Sequence, residues 1–151
     1  MAADPAPGGG PPDKLSIVVF SGEFDKVHYA LVLASGAAAI GRPVTLFFTM
    51  EACRAILRPG ADGAAAWRAR PTTTGGTGGA MDDGFAARRV ATFEELLEAC
   101  VAMGVAFMVC EMGLRAMDLP RDALRDDIPF QDGGVVTFLN DASRDGAMLF
   151  V

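Results

Sequence analysis

Short apolar runs alternate with longer stretches of helical spacing along most of this chain. The apolar runs are 15–20, 44–48, 105–110, 135–139 and 147–151, each short enough for a buried strand. Between them, positions 26–40 and 92–104 place apolar residues at the spacing of a helix that is buried on one face. Strands that alternate with helices predict an α/β fold, a three-layer α/β/α sandwich around a mainly parallel five-stranded sheet.

Turn and cap residues separate these runs in the same order. Gly22 and Asp25 follow the first run as a turn residue and a helix N-cap. Gly41 ends the first helical stretch, and Thr92 with Glu95 forms the sequence pattern of a capping box at the start of the other. The first 48 residues therefore predict a strand, a crossover helix and a parallel strand.

Two segments lie outside this alternation. Residues 1–13 are rich in Pro, Gly and Ala and lack the basic and apolar regions of a signal peptide, so we expect a disordered leader before a single domain at 14–151. Residues 60–89 have few apolar anchors and predict a Gly-rich loop insertion, either a functional lid or a disordered segment. A charged piece at 121–127 is expected to be helical.

Charge and composition narrow the function classes. The net charge is −6 and the longest basic cluster is Arg88-Arg89, which argues against nucleic-acid binding. No apolar segment is long enough for a membrane span, and the cytoplasm is the default location. Apolar residues make up 51 % of the chain, which predicts either a sheet buried on both faces or an oligomer interface.

The three cysteines, Cys53, Cys100 and Cys110, are an odd number and form no Cys-x-x-Cys pair. A disulfide framework and a zinc site are therefore not expected, and we predict reduced thiols, no metal and no organic cofactor. Cys110 stands out because it ends an apolar run just where helical spacing resumes. Open α/β sheets bind their ligands at such strand ends, and a helix N-terminus stabilises a reactive thiolate. The alternative is that Cys110 is a small apolar filler.

Four stretches of the chain carry a resemblance to a known family: 17–26, 37–49, 103–112 and 133–139. In this order they resemble the DsrE/DsrF/DsrH-like sulfur-relay family, in the branch often labelled predicted peroxiredoxins. The resemblance implies a five-stranded parallel sheet, assembly into trimers or hexamers, and a signature similar to Cys-x-Met-(four residues)-Met. That signature corresponds to Cys110, Met112 and Met117, and in relay members its cysteine carries sulfur as a persulfide.

Further residues are expected to border Cys110 because parallel strands deliver their loops to one edge of the sheet. The predicted lining is Gly22, Phe24, Asp25, His28, Thr49, Met50, Cys53, Glu111, Met112 and Gly133. Alternatives stay open for three of them. Cys53 is either a resolving thiol or a core residue, His28 a general base or a structurally paired side chain, and Gly133 a site of close backbone approach or a turn.

The leading hypothesis is a sulfur carrier or sulfurtransferase that accepts a sulfane sulfur as a persulfide on Cys110 and passes it to a partner. A sulfur donor or acceptor protein is the expected partner. Whether it turns over as an enzyme is not specified by the sequence. One alternative is a thiol peroxidase, although no Thr-x-x-Cys precedes Cys110 and Arg115 would have to fold back. Another is a non-catalytic homo-oligomer that binds a small anion, with Cys110 merely buried.

Overall fold

A computed structural model describes residues 10–151, and within that range five strands form one parallel sheet. The part of the expected leader at residues 1–9 lies outside the described residues. The strands are β1 (Leu15–Val19), β2 (Val44–Phe48), β3 (Ala106–Cys110), β4 (Phe130–Gly133) and β5 (Ala147–Phe150). Their order across the sheet is β4-β3-β2-β1-β5, and every neighbouring pair is parallel.

The helices divide unequally between the two faces of the sheet. They are α1 (Phe24–Ala39), α2 (Gly78–Ala87), α3 (Phe93–Ala102), α4 (Glu111–Ala116) and α5 (Val135–Asp141). Short 3₁₀ helices occupy Met50–Ile56, Ala66–Ala69 and Arg121–Ala123. The main hydrophobic core includes buried residues of α1 and α3, whereas α5 packs in a smaller cluster on the other face. This arrangement confirms the predicted three-layer α/β/α sandwich.

Side-chain alternation along the strands creates the two clusters. In β3, Phe107 and Val109 point into the large core beneath α1 and α3. Met108 and Cys110 belong to the smaller cluster, where they meet Phe47 of β2. Cys110 therefore lies on the thinly covered face of the sheet. None of the helices described between residues 10 and 151 combines the length and apolar character needed to cross a bilayer.

The fourth strand was predicted at the wrong residues. The apolar run at 135–139 lies in helix α5, and the strand is the preceding segment Phe130–Gly133. Strand propensity depends on context, and β4 is an edge strand, where the polar residues Gln131 and Asp132 are tolerated because they remain exposed. Pairing Phe130 with Phe107 fills the edge position beside β3, so the next apolar run crosses over the sheet instead of joining it.

The expected loop at 60–89 contains ordered helices at Ala66–Ala69 and Gly78–Ala87. Trp67 anchors the segment: its ring lies 4.9 Å from that of Phe93, and its Nε1–H donates to Glu94 Oε1 over 2.8 Å. Gly78 is required for packing, since a Cβ there would come within 2.5 Å of the Trp67 carbonyl oxygen. Gly63, Gly75 and Gly76 instead have positive φ and open surroundings, so the glycines of this segment serve both close packing and left-handed turns. In the piece expected to be helical at 121–127, only Arg121–Ala123 is helical.

An ion cluster joins the loop before β4 to α3. Arg125 donates to both oxygens of Glu94, at 2.6 and 2.9 Å, and to Asp127. Burial tends to raise the pKa of Glu94, but hydrogen bonds from Arg125 and Trp67 outweigh it and hold that pKa below 4.5. The Arg125 hydrogen bond also holds the pKa of Asp127 below 3.8.

The first prediction concerns Arg125→Met. Replacing this largely buried guanidinium should lower the free energy of unfolding at pH 7 by about 1–2 kcal/mol, a modest value because both carboxylates are partly exposed. The carboxylate pKa values are lowered by folding, so the stabilisation is complete above the unfolded-state values of 4.5 and 3.8. It is lost as the pH falls through the lower folded-state values. Urea unfolding at pH 7 and pH 3 measures both.

Arg58→Met provides the matched control, because Arg58 and Asp126 form an ion pair that is at least half exposed. It should change the free energy of unfolding by less than about 0.5 kcal/mol at either pH. Equal effects of the two substitutions would contradict a stabilising role that is specific to the Arg125 cluster.

Candidate functional site

Cys110 is the last residue of β3 and the N-cap of α4. The backbone N–H of Gly113 donates to Cys110 Sγ over 3.3 Å. The sulfur thus occupies the position in which Ser or Asp commonly accepts a hydrogen bond from the first turn of a helix. The first turn therefore presents a backbone donor to the sulfur atom, at the strand-to-helix junction that the sequence pattern predicts.

Gly113 holds this junction because it has no Cβ. A Cβ at this position would lie 2.6 Å from Thr49 Oγ1 and 2.7 Å from the backbone nitrogen of Met50. The end of β2 consequently packs directly against the first turn of α4. Thr49 is buried, and Met50 adopts a left-handed backbone conformation with φ 52°. These two predicted lining residues are therefore brought to the start of α4 next to Cys110.

The Cys110 side chain is only 1 % exposed, in contrast to an open thiol at the edge of the sheet. It belongs to a cluster with Phe47, Met108 and Phe138, the last of which comes from α5. The next residue, Glu111, is exposed. The two neighbouring side chains therefore occupy different environments, with the carboxylate in solvent and the thiol beneath α5.

Gly133 lies beside Cys110 in the sheet, because the two residues are register partners on the adjacent strands β4 and β3. A Cβ on Gly133 would lie 2.7 Å from Met108 Sδ. Of the two interpretations left open by the sequence, close backbone approach is therefore the one that the packing favours. Met112 of α4 is largely exposed and is not a member of the apolar cluster that encloses the Cys110 thiol.

The other cysteines are core residues. Cys53 is fully buried in the large core, whereas Cys110 belongs to the cluster that contains α5, and all three cysteines are unpaired. Burial, with a smaller electrostatic contribution from Cys110, raises the pKa of Cys53 to about 12, so Cys53 is a neutral thiol near pH 7. Burial raises the pKa of Cys100 to about 11, and its Sγ lies 3.8 Å from the carbonyl oxygen of Leu31. This placement favours the core interpretation of Cys53.

Three predicted lining residues of the first βα connection lie away from Cys110. Phe24 is fully buried and packs against Trp67 at a centroid distance of 5.5 Å. His28 is buried, and its Nε2 lies 2.9 Å from the carbonyl oxygen of Ala91. Asp25 accepts a hydrogen bond of 2.9 Å from the backbone N–H of Thr73. Phe24 and His28 are therefore structural residues of the core, because α1 turns these positions towards α2 and α3.

Gly22 borders a cavity of about 700 Å³ beside the ends of β1 and β5. The wall also includes Arg70, whose Nε–H donates to the Gly22 carbonyl over 2.9 Å and whose Nη2 lies 3.3 Å from Glu51 Oε2. Sequence reasoning missed Arg70 because it lies in the segment that was interpreted as a loop. Phe150 of β5 also contributes to this wall.

A second cavity of about 640 Å³ lies beside α4. Its lining comprises Glu111, Leu114, Arg115, Asp118, Leu119, Pro120, Arg121 and Asp132. Cys110 lies in the wall of neither cavity. Among residues 10–151 no three His, Cys, Asp or Glu side chains are grouped so as to hold a metal ion. The surroundings of Cys110 comprise one buried sulfur, a backbone N–H donor and an apolar cluster.

A family model described as DsrE/DsrF/DrsH-like matches residues 11–62 and 66–150. Two relatives match over 91 % of this chain. An uncharacterized protein of Bacillus subtilis, YrkE, is 28 % identical over 96 % of its own length. Sulfur carrier protein DsrE2 of Allochromatium vinosum is 26 % identical over 98 % of its length.

Solved structures share the fold. The crystal structure of the ychN protein from E. coli has a TM-score of 0.55 at 18 % identity, covering 92 % of this chain and 99 % of that one. A protein of unknown function from Methanobacterium thermoautotrophicum, MTH1491, has a TM-score of 0.51 at 13 % identity, with 92 % and 100 % covered. At these identities the likeness concerns the fold alone.

The second prediction tests the packing that holds Cys110 at the start of α4. Gly113→Ala introduces a methyl group 2.6 Å from Thr49 Oγ1, so it should lower the free energy of unfolding by about 1–3 kcal/mol. The control is Gly36→Ala in α1, where a Cβ meets nothing within 4 Å. That substitution should stabilise the protein by roughly 0.5–1 kcal/mol. Urea unfolding distinguishes the two, and a neutral Gly113→Ala would contradict the described contact.

Proposed function

This chain belongs to the DsrE/DsrF/DrsH-like family, and we propose from that premise that it carries sulfane sulfur as a persulfide on Cys110 and passes it to a partner protein. The supporting observation is the hydrogen bond from the Gly113 N–H to Cys110 Sγ at the first turn of α4. A helix N-terminus favours negative charge, and both a thiolate and a persulfide are anions. One relative, 26 % identical, is itself named a sulfur carrier protein.

The proposed transfer needs no oxidant. The Cys110 thiolate attacks the outer sulfur of thiosulfate, the S–S bond of thiosulfate breaks, and sulfite leaves with the bonding electron pair. The product is a Cys110 persulfide anion. In the second step a thiolate of the acceptor protein attacks the terminal sulfur, and Cys110 departs as the thiolate. Charge and atoms balance in both steps. The second step regenerates the Cys110 thiolate, so the protein can accept sulfur again.

The surroundings of Cys110 suit storage of this reactive sulfur. Phe47, Met108 and Phe138 enclose the thiol in an apolar cluster, and an enclosed site keeps water and competing nucleophiles from a labile group. A reducing compartment also suits such chemistry, and the cytoplasm is the compartment we propose. Three unpaired cysteines agree with that assignment.

The third prediction tests the persulfide directly. The reduced protein, incubated with thiosulfate or polysulfide, should gain about 32 Da, the mass of one sulfur atom, on the peptide that contains Cys110. Intact-mass and peptide mass spectrometry measure the gain. Cys110→Ser should abolish it, whereas Cys100→Ser should retain it because Cys100 lies in the opposite core.

Other products would replace the proposal with a different chemistry. A sulfenic acid on Cys110 after peroxide treatment, without sulfur loading, would identify a thiol peroxidase. No covalent product under either condition would leave a binding protein with a buried cysteine. Sulfur on Cys53 instead of Cys110 would contradict the proposal, because the carrier would then be the cysteine in the large core.

We also propose that the protein assembles into a homo-oligomer through the thinly covered face of its sheet. The β5 surface consists of Phe20, Met148 and Phe150, all exposed and all apolar, and leaves α5 outside the contact. Parallel sheets are normally covered on both faces, whereas α5 covers only part of this one. A second copy of the chain offers a matching apolar surface, and contacts repeated around a symmetry axis close a ring. Trimers or hexamers are the expected sizes.

The fourth prediction tests that surface with Phe150→Asp. A charge at this position, where the side chain is 70 % exposed in one chain, should weaken self-association at least about tenfold. Sedimentation equilibrium measures the association constant. Tyr29→Asp is the control, because Tyr29 is exposed on α1 against the opposite face. Unchanged association of the Phe150 variant would show that assembly uses another surface.

A further inference from the structure

Helix α5 is attached to the sheet by very little packing. Of its seven residues only Phe138 is buried. Its ring stacks on Phe47 with a centroid distance of 4.9 Å and closes the cluster that contains Met108 and Cys110. A short helix held by one apolar side chain belongs to the low-stability part of a fold and opens without global unfolding.

The start of α5 is suited to hinge motion. Gly134 is the N-cap, and a Cβ built on it would meet nothing within 4 Å. The residue before it, Gly133, is fixed in β4 opposite Cys110. Because Gly134 has no Cβ, its backbone can adopt a wider range of dihedral angles than other residues while the sheet stays in place.

Polar contacts hold the other end. Thr45 Oγ1, from the buried face of β2, donates to Asp141 Oδ2 over 2.5 Å. Lys14 Nζ donates to the same oxygen over 2.8 Å and to the Asp141 carbonyl over 2.6 Å. Burial tends to raise the pKa of Asp141, but hydrogen bonds from Lys14 and Thr45 outweigh it and keep the pKa below 3.8. These charge-assisted bonds supply the attachment that apolar packing of α5 lacks.

We propose that α5 is a lid over Cys110, hinged at Gly134 and fastened by the latch Lys14–Asp141–Thr45. Opening the latch frees Asp141, lifts Phe138 from Phe47 and uncovers the sulfur on the face where it is otherwise closed. The lid gives the proposed sulfur carrier a means to admit a donor and an acceptor while shielding the persulfide in between. In that sense it rests on the proposed function, although the motion itself can be measured without it.

The fifth prediction uses alkylation of the native protein by iodoacetamide. Thr45→Val keeps the side-chain shape and removes the hydroxyl, and Lys14→Met keeps the length and removes the charge. Each should raise the alkylation rate of Cys110 about tenfold, because the closed state loses a hydrogen bond to a charged group. Peptide mass spectrometry follows Cys110 and Cys100 in the same sample. The Cys100 rate should stay unchanged, since this thiol is buried on the opposite face and reports on opening of the whole fold.

Lys26→Met is the matched control, because Lys26 forms an exposed ion pair with Glu23 on α1 and does not contact the latch. It should leave the rates of both cysteines unchanged. The lid is refuted if the latch variants leave the Cys110 rate unchanged. It is also refuted if the rates of Cys110 and Cys100 rise by the same factor, since that result means global destabilisation.

Sulfur loading of the same variants separates the lid from the function. Faster alkylation with faster persulfide formation on Cys110 supports both. Faster alkylation without any persulfide in any variant supports the lid and overturns the carrier function. If a persulfide forms on Cys110 but the latch substitutions do not change its alkylation rate, the lid is overturned and the carrier function is retained.

Discussion

The site depends on the contact between the first turn of α4 and the end of β2. Gly113 lies so close to Thr49 and Met50 that no side chain fits between them. That closeness fixes the orientation of α4, and the orientation sets where the Gly113 N–H meets Cys110 Sγ. Parallel pairing of β2 with β3 brings the two loops to the same edge, so sheet register and helix placement are determined together.

The two faces of the sheet differ in how they are held. One carries α1 and α3 over a continuous apolar core that includes Phe24, Phe48 and Phe107. The other carries α5, with Phe138 as its single buried residue. The two layers thus differ in how firmly they are attached, and Cys110 lies in the layer whose attachment is weaker.

The fold class and the placement of Cys110 were predictable from the sequence because they depend on local periodicity. The apolar run that ends at Cys110 and the helical spacing after it are both visible in the residues themselves. The direction in which Cys110 points was not predictable, since β3 is apolar on both sides and its alternation carries no polar marker. The family resemblance stated from the residues agrees with the match over 11–62 and 66–150.

The failures have physical causes that lie in tertiary structure. The residues of α5 include Val135, Val136 and Thr137, which favour strands, yet they are helical where β4 already occupies the sheet edge. The segment at 60–89 lacks the apolar density of a core, yet Trp67 alone anchors it through long-range contacts. Arg70 and Asp141 are ordinary surface residue types in sequence, and their hydrogen-bond partners Gly22 and Thr45 lie 48 and 96 positions away.

Trp67 is the single tryptophan of the chain and packs between Phe24 and Phe93, with its indole N–H on Glu94. Its fluorescence emission is therefore an optical probe of the α1–α3 layer and is insensitive to the opposite layer. We expect this emission to change when the main core unfolds and to stay unchanged if α5 alone moves, because α5 packs on the other face of the sheet. The molecule thus carries its own spectroscopic means of telling a local rearrangement from denaturation.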